Sequence, residues 1–270
     1  MVHGGPGAGM NAVFPDLQPL ARNYTVIFYD QRGGGRSDLP ADTTRLDARF
    51  FVEDMEAVRR FFGLHQMKII AHSFGSVLMA RYLQDYPERV SRMVFLGATG
   101  PKRSEAGKLA MQRYAEMDSV DFAQLGAIMQ VLFSGTAADP VAACNEYEGI
   151  IDKMAIKRGE PNNWLGASCD MPLEAVAYYY KYTARIAPAT FGDWDFTEKM
   201  QGITTPLLVV YGALDSSGLS LQRAWAEAFP DGKLMVVPEA GGKTAIADQP
   251  DVVFPAINSF FASDWPEGAE

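Results

Sequence analysis

A serine between an apolar run and a helical stretch constrains this chain more than any other feature. Ser73 lies in residues 71–75 (AHSFG), which follow the apolar run 67–70 and precede a stretch of helical pattern over 76–86. Small residues on both flanks let a strand-to-helix turn close tightly, and the serine hydroxyl is then exposed at the end of a sheet. The segment matches the pattern G-x-S-x-G, with Ala71 at the first glycine. The pattern therefore predicts a strand and a helix in direct succession and points to acyl-transfer chemistry.

Apolar runs and helical patterns alternate over most of the remaining chain. They predict strands at 24–29, 67–71, 92–96, 207–211 and 233–237, and helices at 47–62, 76–86, 219–229 and 249–261. This alternation is typical of an α/β fold, in which a mostly parallel sheet is flanked by helices. Residues 101–200 differ, because they are helical in pattern, are broken by prolines and contain no β-rich run. We therefore expect a core formed by 1–100 and 201–270, with an inserted helical cap at 101–200.

The first residues form a loop of a kind that normally follows a buried strand. His3 to Gly7 reads HGGPG, and only Met1 and Val2 precede it. Two interpretations are open: N-terminal strands are missing, or the sheet is smaller and begins here. We favour the first.

Composition limits the partners more than it identifies them. The chain has 270 residues, of which 48% are hydrophobic, which is enough for one large core. A net charge of −9 argues against nucleic-acid and anionic-membrane partners, but it does not identify a substrate. Cys144 and Cys169 are the only cysteines, and we expect both to be free and reduced.

Without a leader pattern or a long apolar run, the default expectation is a cytoplasmic protein. No cofactor motif is present, and oligomeric state is not indicated.

A serine hydroxyl needs a base within hydrogen-bond reach and a third group that orients the base. Asp215 is the candidate acid, because it follows the apolar run 207–211 at the end of the sheet where Ser73 also lies. The alternative is an aspartate that only shapes a turn. The base is expected in the loop 238–244, but the three histidines of the chain, His3, His65 and His72, all precede Asp215.

Several motifs together resemble the α/β-hydrolase superfamily, and within it the proline iminopeptidase-like group. The resemblance covers the chain outside 101–200 and rests on the HGGPG loop, DQRGGGRS at 30–37, the serine turn, Asp215 and the Gln249-Pro250 pair. It implies a serine hydrolase acting on a peptide, amide or ester bond of a small-molecule or short-peptide substrate. It also implies an oxyanion hole formed by the backbone N–H groups of Gly5 and Phe74.

The same resemblance identifies the position of the base. The family histidine stands seven residues before the proline of the tail, which is Lys243 here, or Gly242 if the alignment slips by one residue. An unperturbed lysine amine is neutral in roughly one molecule in 2,000 at pH 7. We expect an ion pair between Asp215 and Lys243, a poorly activated Ser73, and impaired activity. The alternatives are an esterase or lactonase, or an inactive ligand-binding relative or engineered variant.

The histidines have structural interpretations. His3 is expected to hold the geometry of its loop, His72 to point away from Ser73, and His65 to be a surface or packing residue. Acidic cap residues hold the free amino terminus of the substrate in iminopeptidases. Four acidic cap residues are available for this here, and none can be matched to the family: Glu146, Glu148, Asp170 and Glu174.

Overall fold

The computed structural model describes residues 1–270, which form a four-stranded parallel sheet covered by helices. The strands lie in the order β1–β2–β3–β4, with β1 Met67–His72, β2 Val90–Leu96, β3 Leu207–Gly212 and β4 Gly232–Val237. The helices are α1 Phe14–Leu17, α2 Ala48–Phe61, α3 Gly75–Asp85, α4 Arg103–Ala115, α5 Ser119–Ser134, α6 Pro140–Lys157, α7 Leu173–Tyr178, α8 Ala184–Thr190, α9 Leu219–Ala228, α10 Ala245–Asp248 and α11 Pro250–Phe261.

Both faces of the sheet are buried, which explains why its strands read as continuous apolar runs. Every residue of β3 is buried, and its side chains alternate between two apolar clusters. Helices α2, α3 and α9 supply the cluster on one face, and α1, α10 and α11 supply the other. The predicted strand and helix positions around these clusters agree with the structure to within a few residues.

Residues 24–29 depart from the prediction. They form no strand, so the strand predicted there is wrong. The physical reason is the lack of a neighbour, because a cavity separates this segment from β1 over most of its length. Only the amino group of Met1 reaches across, 2.9 Å from the carbonyl oxygen of Ile27.

Helices α4 to α8 lie between β2 and β3 in the chain and hold an apolar cluster of their own. The cluster includes Leu125, Ile128, Leu132, Val176 and Tyr180. Asp118 and Asp139 begin α5 and α6 by accepting hydrogen bonds from the first backbone N–H groups of each helix. The division into core and cap at residues 101 and 200 stays a prediction.

The two cysteines also depart from the prediction. Cys144 on α6 and Cys169 in the loop before α7 form a disulfide bond, so the expectation of free, reduced thiols is wrong. They are 25 residues apart in the chain, and only the packing of the cap brings them together. Separately, none of the helices combines the length and the apolar character needed to cross a membrane.

Candidate active site

The sheet brings the sequence-predicted residues to one edge. Ser73 directly follows β1, Asp215 comes three residues after β3, and Lys243 lies in the loop between β4 and α10. Parallel strands end at the same edge of their sheet, and ligands of open α/β folds bind in the crevice outside these ends. The three residues therefore lie at the same edge of the sheet, and we call the space outside this edge the crevice.

Ser73 occupies a strained backbone position between β1 and α3. Its φ of 52° lies in the left-handed region, which few non-glycine residues adopt. Its N–H donates to the carbonyl oxygen of Leu96, 3.1 Å away on β2. Gly75 is needed for the tight turn, because a Cβ there would lie 2.5 Å from the carbonyl oxygen of Val2. The strand-to-helix turn predicted from the sequence is thus present.

Two backbone N–H groups beside Ser73 have no acceptor within the protein. They belong to Phe74, at the start of α3, and to Gly5. The Gly5 loop lies directly against the serine, since a Cβ on Gly4 would come within 2.9 Å of the Ser73 Cβ. The site therefore has free donors next to the serine hydroxyl.

A buried histidine and a glutamine fix this loop. The Gln31 side chain donates to the carbonyl oxygen of His3 at 2.7 Å and accepts from the N–H of Gly7 at 3.0 Å. The His3 ring accepts from the N–H of Gln31 at 3.2 Å. Burial lowers the pKa of His3 to about 4, so the ring is neutral at pH 7. The contacts fit the predicted role of His3 in loop geometry.

The Asp215 carboxylate is buried and engaged by three donors. Arg113 of α4 forms an ion pair with it, Tyr211 donates its hydroxyl at 2.8 Å, and Ser217 donates at 2.6 Å. Burial raises the pKa of Asp215, but the hydrogen bond from Ser217, the charge of Arg113 and the hydrogen bond from Tyr211 outweigh it. The net pKa is lowered, and the group is ionised at pH 7.

Lys243 does not form the ion pair with Asp215 that the sequence led us to expect, and that expectation is wrong. The Lys243 amine makes neither a salt bridge nor a hydrogen bond, because Arg113 has taken the carboxylate. The Lys243 backbone packs over Gly97 at the end of β2, where a Cβ would lie 2.7 Å from the Lys243 Cα. The N–H of Ser73 donates to the carbonyl oxygen of Leu96, the residue before Gly97, so Lys243 lies close to the serine turn.

The surroundings lower the pKa of Lys243. The residue keeps solvent access along the crevice, while desolvation at the amine is the largest cause of the shift, followed by the positive charge of Arg113. The negative charges of Asp215, Glu148 and Glu160 oppose it with smaller effects. The amine is therefore easier to deprotonate than a free lysine, contrary to the effect expected from an Asp215–Lys243 pair.

The other two histidines are not placed to act as the base. The His72 ring stacks on Trp164 with 5.0 Å between ring centroids, and it makes no hydrogen bond to Ser73. Burial lowers the pKa of His72 to about 3, and the nearby charge of Lys243 contributes. His65 is exposed at the surface, as expected.

Sequence reasoning missed several residues of the site. Tyr211 and Ser217 flank Asp215 by four and two positions, so their nearness along the chain was an available signal. Arg113 gave none, because it lies 102 residues away on a cap helix. Glu160 is buried and accepts from the N–H of Gly242 at 3.0 Å, which holds the loop that carries Lys243. Among the four acidic cap residues, only Glu148 is close enough to Lys243 to affect its pKa.

The family comparison agrees with this architecture. A family model described as alpha/beta hydrolase fold matches residues 1–247. The proline iminopeptidase of Levilactobacillus brevis is 25% identical over 253 residues, covering 93% of this chain and 83% of the relative. That of Heyndrickxia coagulans is 40% identical over 97 residues, a match that spans 35% of this chain and 33% of the relative.

Solved structures show the same fold. The proline iminopeptidase of Mycobacterium smegmatis superposes with a TM-score of 0.69 at 21% identity, covering 97% of this chain and 87% of the other. An enzyme described as degrading N-acyl homoserine lactones gives a TM-score of 0.61 at 20% identity, and the superposition covers 96% of this chain and 91% of the other. The predicted α/β-hydrolase fold is confirmed. At these identities the structural similarity supports the fold and not a substrate.

Proposed function

Since the chain belongs to the α/β-hydrolase family, we propose that it is a serine hydrolase that cleaves a peptide, amide or ester bond with Ser73 as nucleophile. One observation carries the proposal: Ser73 lies on a strained strand-to-helix turn beside two free backbone donors, Gly5 and Phe74. Strain of this kind persists where the surrounding structure holds it, and it concentrates at functional sites.

The proposed reaction follows from these groups. The Ser73 Oγ attacks the carbonyl carbon and gives its proton to the Lys243 amine. The carbonyl oxygen becomes an oxyanion held by the N–H groups of Gly5 and Phe74. When the tetrahedral adduct collapses, the leaving amine or alcohol takes the proton from Lys243. Water then hydrolyses the acyl-Ser73 ester in the same way and restores both residues.

Lys243 is proposed as the base because its pKa is lowered, so more of the amine is neutral than in a free lysine. Asp215 supports the base position only indirectly, since it is bonded to Arg113, Tyr211 and Ser217. Without a carboxylate orienting the base, the activity is expected to be impaired at neutral pH and to rise with pH.

The proposed substrate is a short peptide, as in the proline iminopeptidases that the chain is similar to. Glu148 supports this choice, because it is a half-buried cap residue close enough to Lys243 for the two charges to interact, and an ionised carboxylate there suits a positively charged amino terminus. The alternative is an ester or a lactone, which the same nucleophile attacks; one structural neighbour is described as degrading N-acyl homoserine lactones.

A second candidate function is ligand binding without turnover. It is favoured by one observation: the Ser73 hydroxyl makes no hydrogen bond to Lys243 or to any other base. Such a protein would hold small acyl or peptide ligands in the crevice and leave them intact.

Fluorophosphonate labelling and hydrolysis of a p-nitrophenyl ester separate these functions. We expect slow labelling of the chain, its loss in Ser73→Ala, and a gain in Lys243→His. Ser76→Ala is the matched control, because Ser76 is a buried neighbour whose hydroxyl donates to the backbone oxygen of residue 73. Turnover unchanged in Ser73→Ala would refute the nucleophile. Absence of labelling in both the chain and Lys243→His would favour the binding function.

Turnover of proline p-nitroanilide against a p-nitrophenyl ester then separates aminopeptidase from esterase. Under the substrate proposal, Glu148→Gln raises the KM for the free-amine substrate and leaves that for the neutral ester unchanged. An equal effect on both substrates would contradict recognition of an amino terminus by Glu148.

A further inference from the structure

One irregular segment of the cap contacts the core at several points of the candidate active site. Residues 158–167 follow α6 and lead toward α7 without forming a helix or a strand. They contact the loop that carries Lys243, the residue before Ser73, and residues 11–16. We call residues 158–167 the cap strap. The strap thus lies against both parts of the core that carry the proposed base and nucleophile.

The second half of the cap strap is fixed to the core by hydrogen bonds of its backbone. The N–H groups of Leu165 and Gly166 donate to the buried carboxyl group of Asp16, at 3.0 and 2.8 Å. The N–H of Ala167 donates to the carbonyl oxygen of Asn11 at 2.9 Å. These bonds connect three consecutive residues of the strap to the core, so this half of the strap has little freedom to move.

Trp164 connects the cap strap to the serine turn. Its indole N–H donates to the carbonyl oxygen of Ala12 at 2.8 Å, which fixes the orientation of the ring. The ring stacks on His72, and His72 directly precedes Ser73. The strap is therefore in contact with the end of β1, where the serine turn begins.

Glu160 connects the first half of the cap strap to the loop of Lys243. Its side chain is buried, and one carboxylate oxygen, Oε1, accepts from the Arg158 guanidinium at 2.9 and 2.6 Å. The other oxygen, Oε2, accepts from the N–H of Gly242 at 3.0 Å. The approach is close, because a Cβ on Gly241 would lie 2.8 Å from the same Oε2. Both oxygens are therefore engaged, and one of them holds the backbone next to Lys243.

Asp248 provides a second connection between the cap strap and this loop. One of its carboxylate oxygens accepts from the N–H of Asn163 in the strap at 3.2 Å, and the other accepts from the N–H of Gly241 at 2.8 Å. The strap and the loop are therefore held together at two points. Of the two, the contact of Glu160 is made by a side chain of the strap itself, so substitution of that side chain can test it.

We propose that Glu160 is the positioning residue for Lys243, and that through the cap strap it holds the Lys243 loop in a fixed position relative to the serine turn. The inference rests on the proposed function, in which Lys243 takes the proton of Ser73. A base acts only when it is held within hydrogen-bond reach of its nucleophile. Asp215 does not hold Lys243, because Arg113 has taken its carboxylate, whereas Glu160 binds the backbone of the loop directly.

The charge of Glu160 and its contact with the loop have opposite effects on the base. The negative charge of Glu160 raises the pKa of Lys243, as do those of Asp215 and Glu148, whereas Arg113 lowers it. Loss of the charge alone leaves more of the amine neutral and should speed the reaction of the nucleophile at neutral pH. Loss of the contact alone releases the loop and should slow that reaction.

Two matched substitutions separate these effects. Glu160→Gln removes the charge and keeps an oxygen that can accept from Gly242. Glu160→Asp keeps the charge, but its side chain is one methylene shorter and should no longer reach Gly242. Three measurements compare them with the parent chain: amide hydrogen exchange at Gly242, the pH profile of Lys243 acetylation, and labelling of Ser73 by a fluorophosphonate.

The two variants should differ in all three measurements. In Glu160→Asp we expect exchange at Gly242 to be at least about tenfold faster while the amides of β3 are unchanged, acetylation of Lys243 to follow the parent pH profile, and labelling of Ser73 to be at least about tenfold slower. In Glu160→Gln we expect exchange close to that of the parent and an acetylation profile moved to lower pH. Labelling of Glu160→Gln at pH 7 should be at least as fast as that of the parent.

Three results would overturn the proposal. The first is equal exchange at Gly242 in all three chains, since Glu160 then does not hold the loop. The second is equal labelling of Ser73 in both variants, since the contact is then not needed. The third is exchange in Glu160→Asp that accelerates in β3 as much as at Gly242, since the effect is then a loss of overall stability. If the parent chain is not labelled at all, the proposed function fails, and exchange at Gly242 alone decides whether Glu160 holds the loop.

Discussion

Replacing Arg113 by glutamine tests the electrostatics of the crevice most directly. The Arg113 side chain is 17% exposed and that of Asp215 is 2% exposed, so their ion pair is largely shielded from water. Losing a hydrogen bond to a charged group costs about 1.5–3 kcal/mol, and leaving a buried charge without any partner costs about 3–5 kcal/mol. Tyr211 and Ser217 still donate to the carboxylate, so we expect Arg113→Gln to cost about 2 kcal/mol.

The same substitution should change the protonation of Lys243. Arg113 lowers the pKa of that amine and Asp215 raises it, so removing Arg113 moves the pKa upward. Each unit of increase reduces the neutral fraction at pH 7 about tenfold. Labelling of Ser73 by a fluorophosphonate should therefore slow at neutral pH. The pH range over which the labelling rate rises should move upward, and above this range the rate should approach that of the parent chain.

The stability difference should itself depend on pH. The folded-state pKa of Asp215 is lowered, so its ionisation stabilises the protein above the ordinary aspartate pKa of about 3.9 and this contribution disappears as pH falls through the folded value. The deficit of Arg113→Gln is thus present at pH 7, where it lowers Tm by about 5 °C, and shrinks below about pH 4.

Three measurements check this reasoning: thermal unfolding at pH 7 and at pH 3–4, the pH profile of labelling, and the pH dependence of Lys243 acetylation by mass spectrometry. Acetylation reports the amine even if Ser73 proves unreactive. Lys108→Gln is the control, because it removes a positive charge from α4 whose only partner is the exposed Glu105. An unchanged Lys243 titration in Arg113→Gln would refute the electrostatic coupling, and an unchanged Tm would refute the contribution of the ion pair.

Two further predictions concern stability. Burial lowers the pKa of His3 from 6.5 to about 4, so the unfolded chain binds a proton that the folded chain does not, and stability is lost as pH falls from 6.5 to 4. At about 1.4 kcal/mol per pKa unit this loss is about 3 kcal/mol. Urea unfolding at several pH values should show that the free energy of unfolding depends less on pH in His3→Gln than in the parent, while the exposed His65→Gln behaves as the parent does. The same pH dependence in all three chains would contradict the prediction. The Cys144–Cys169 bond closes a loop with a sequence separation of 25, so a reductant should destabilise the cap by about 3 kcal/mol. The Tm of the Cys144→Ser/Cys169→Ser chain should not respond to the reductant. A parent Tm that is also unaffected would show that the bond contributes nothing.

Elements that depend on neighbours along the chain were predictable from the sequence. The buried strands β1 to β4 and helix α2 follow from local apolar periodicity, which burial on the sheet requires. The turn at Ser73 follows from small residues between a strand and a helix. The position of Asp215 follows because strands of a parallel sheet end at the same edge.

Residues far apart in the chain were decided only by the tertiary structure. Residues 24–29 have the composition of a strand, but a cavity separates them from β1, and a strand needs a neighbour to pair with. Cys144 and Cys169 meet because the cap packs as it does, and spacing alone does not fix a disulfide.

The ion pair in the crevice shows the division most clearly. The sequence placed Asp215 and Lys243 at one edge of the sheet, and from their charges alone they were expected to pair. It contained no signal that Arg113 would reach the same carboxylate from a helix 102 residues away. Electrostatic interactions depend on distance and burial in three dimensions, so the sequence supplied the charged groups and the tertiary structure decided which of them are partners.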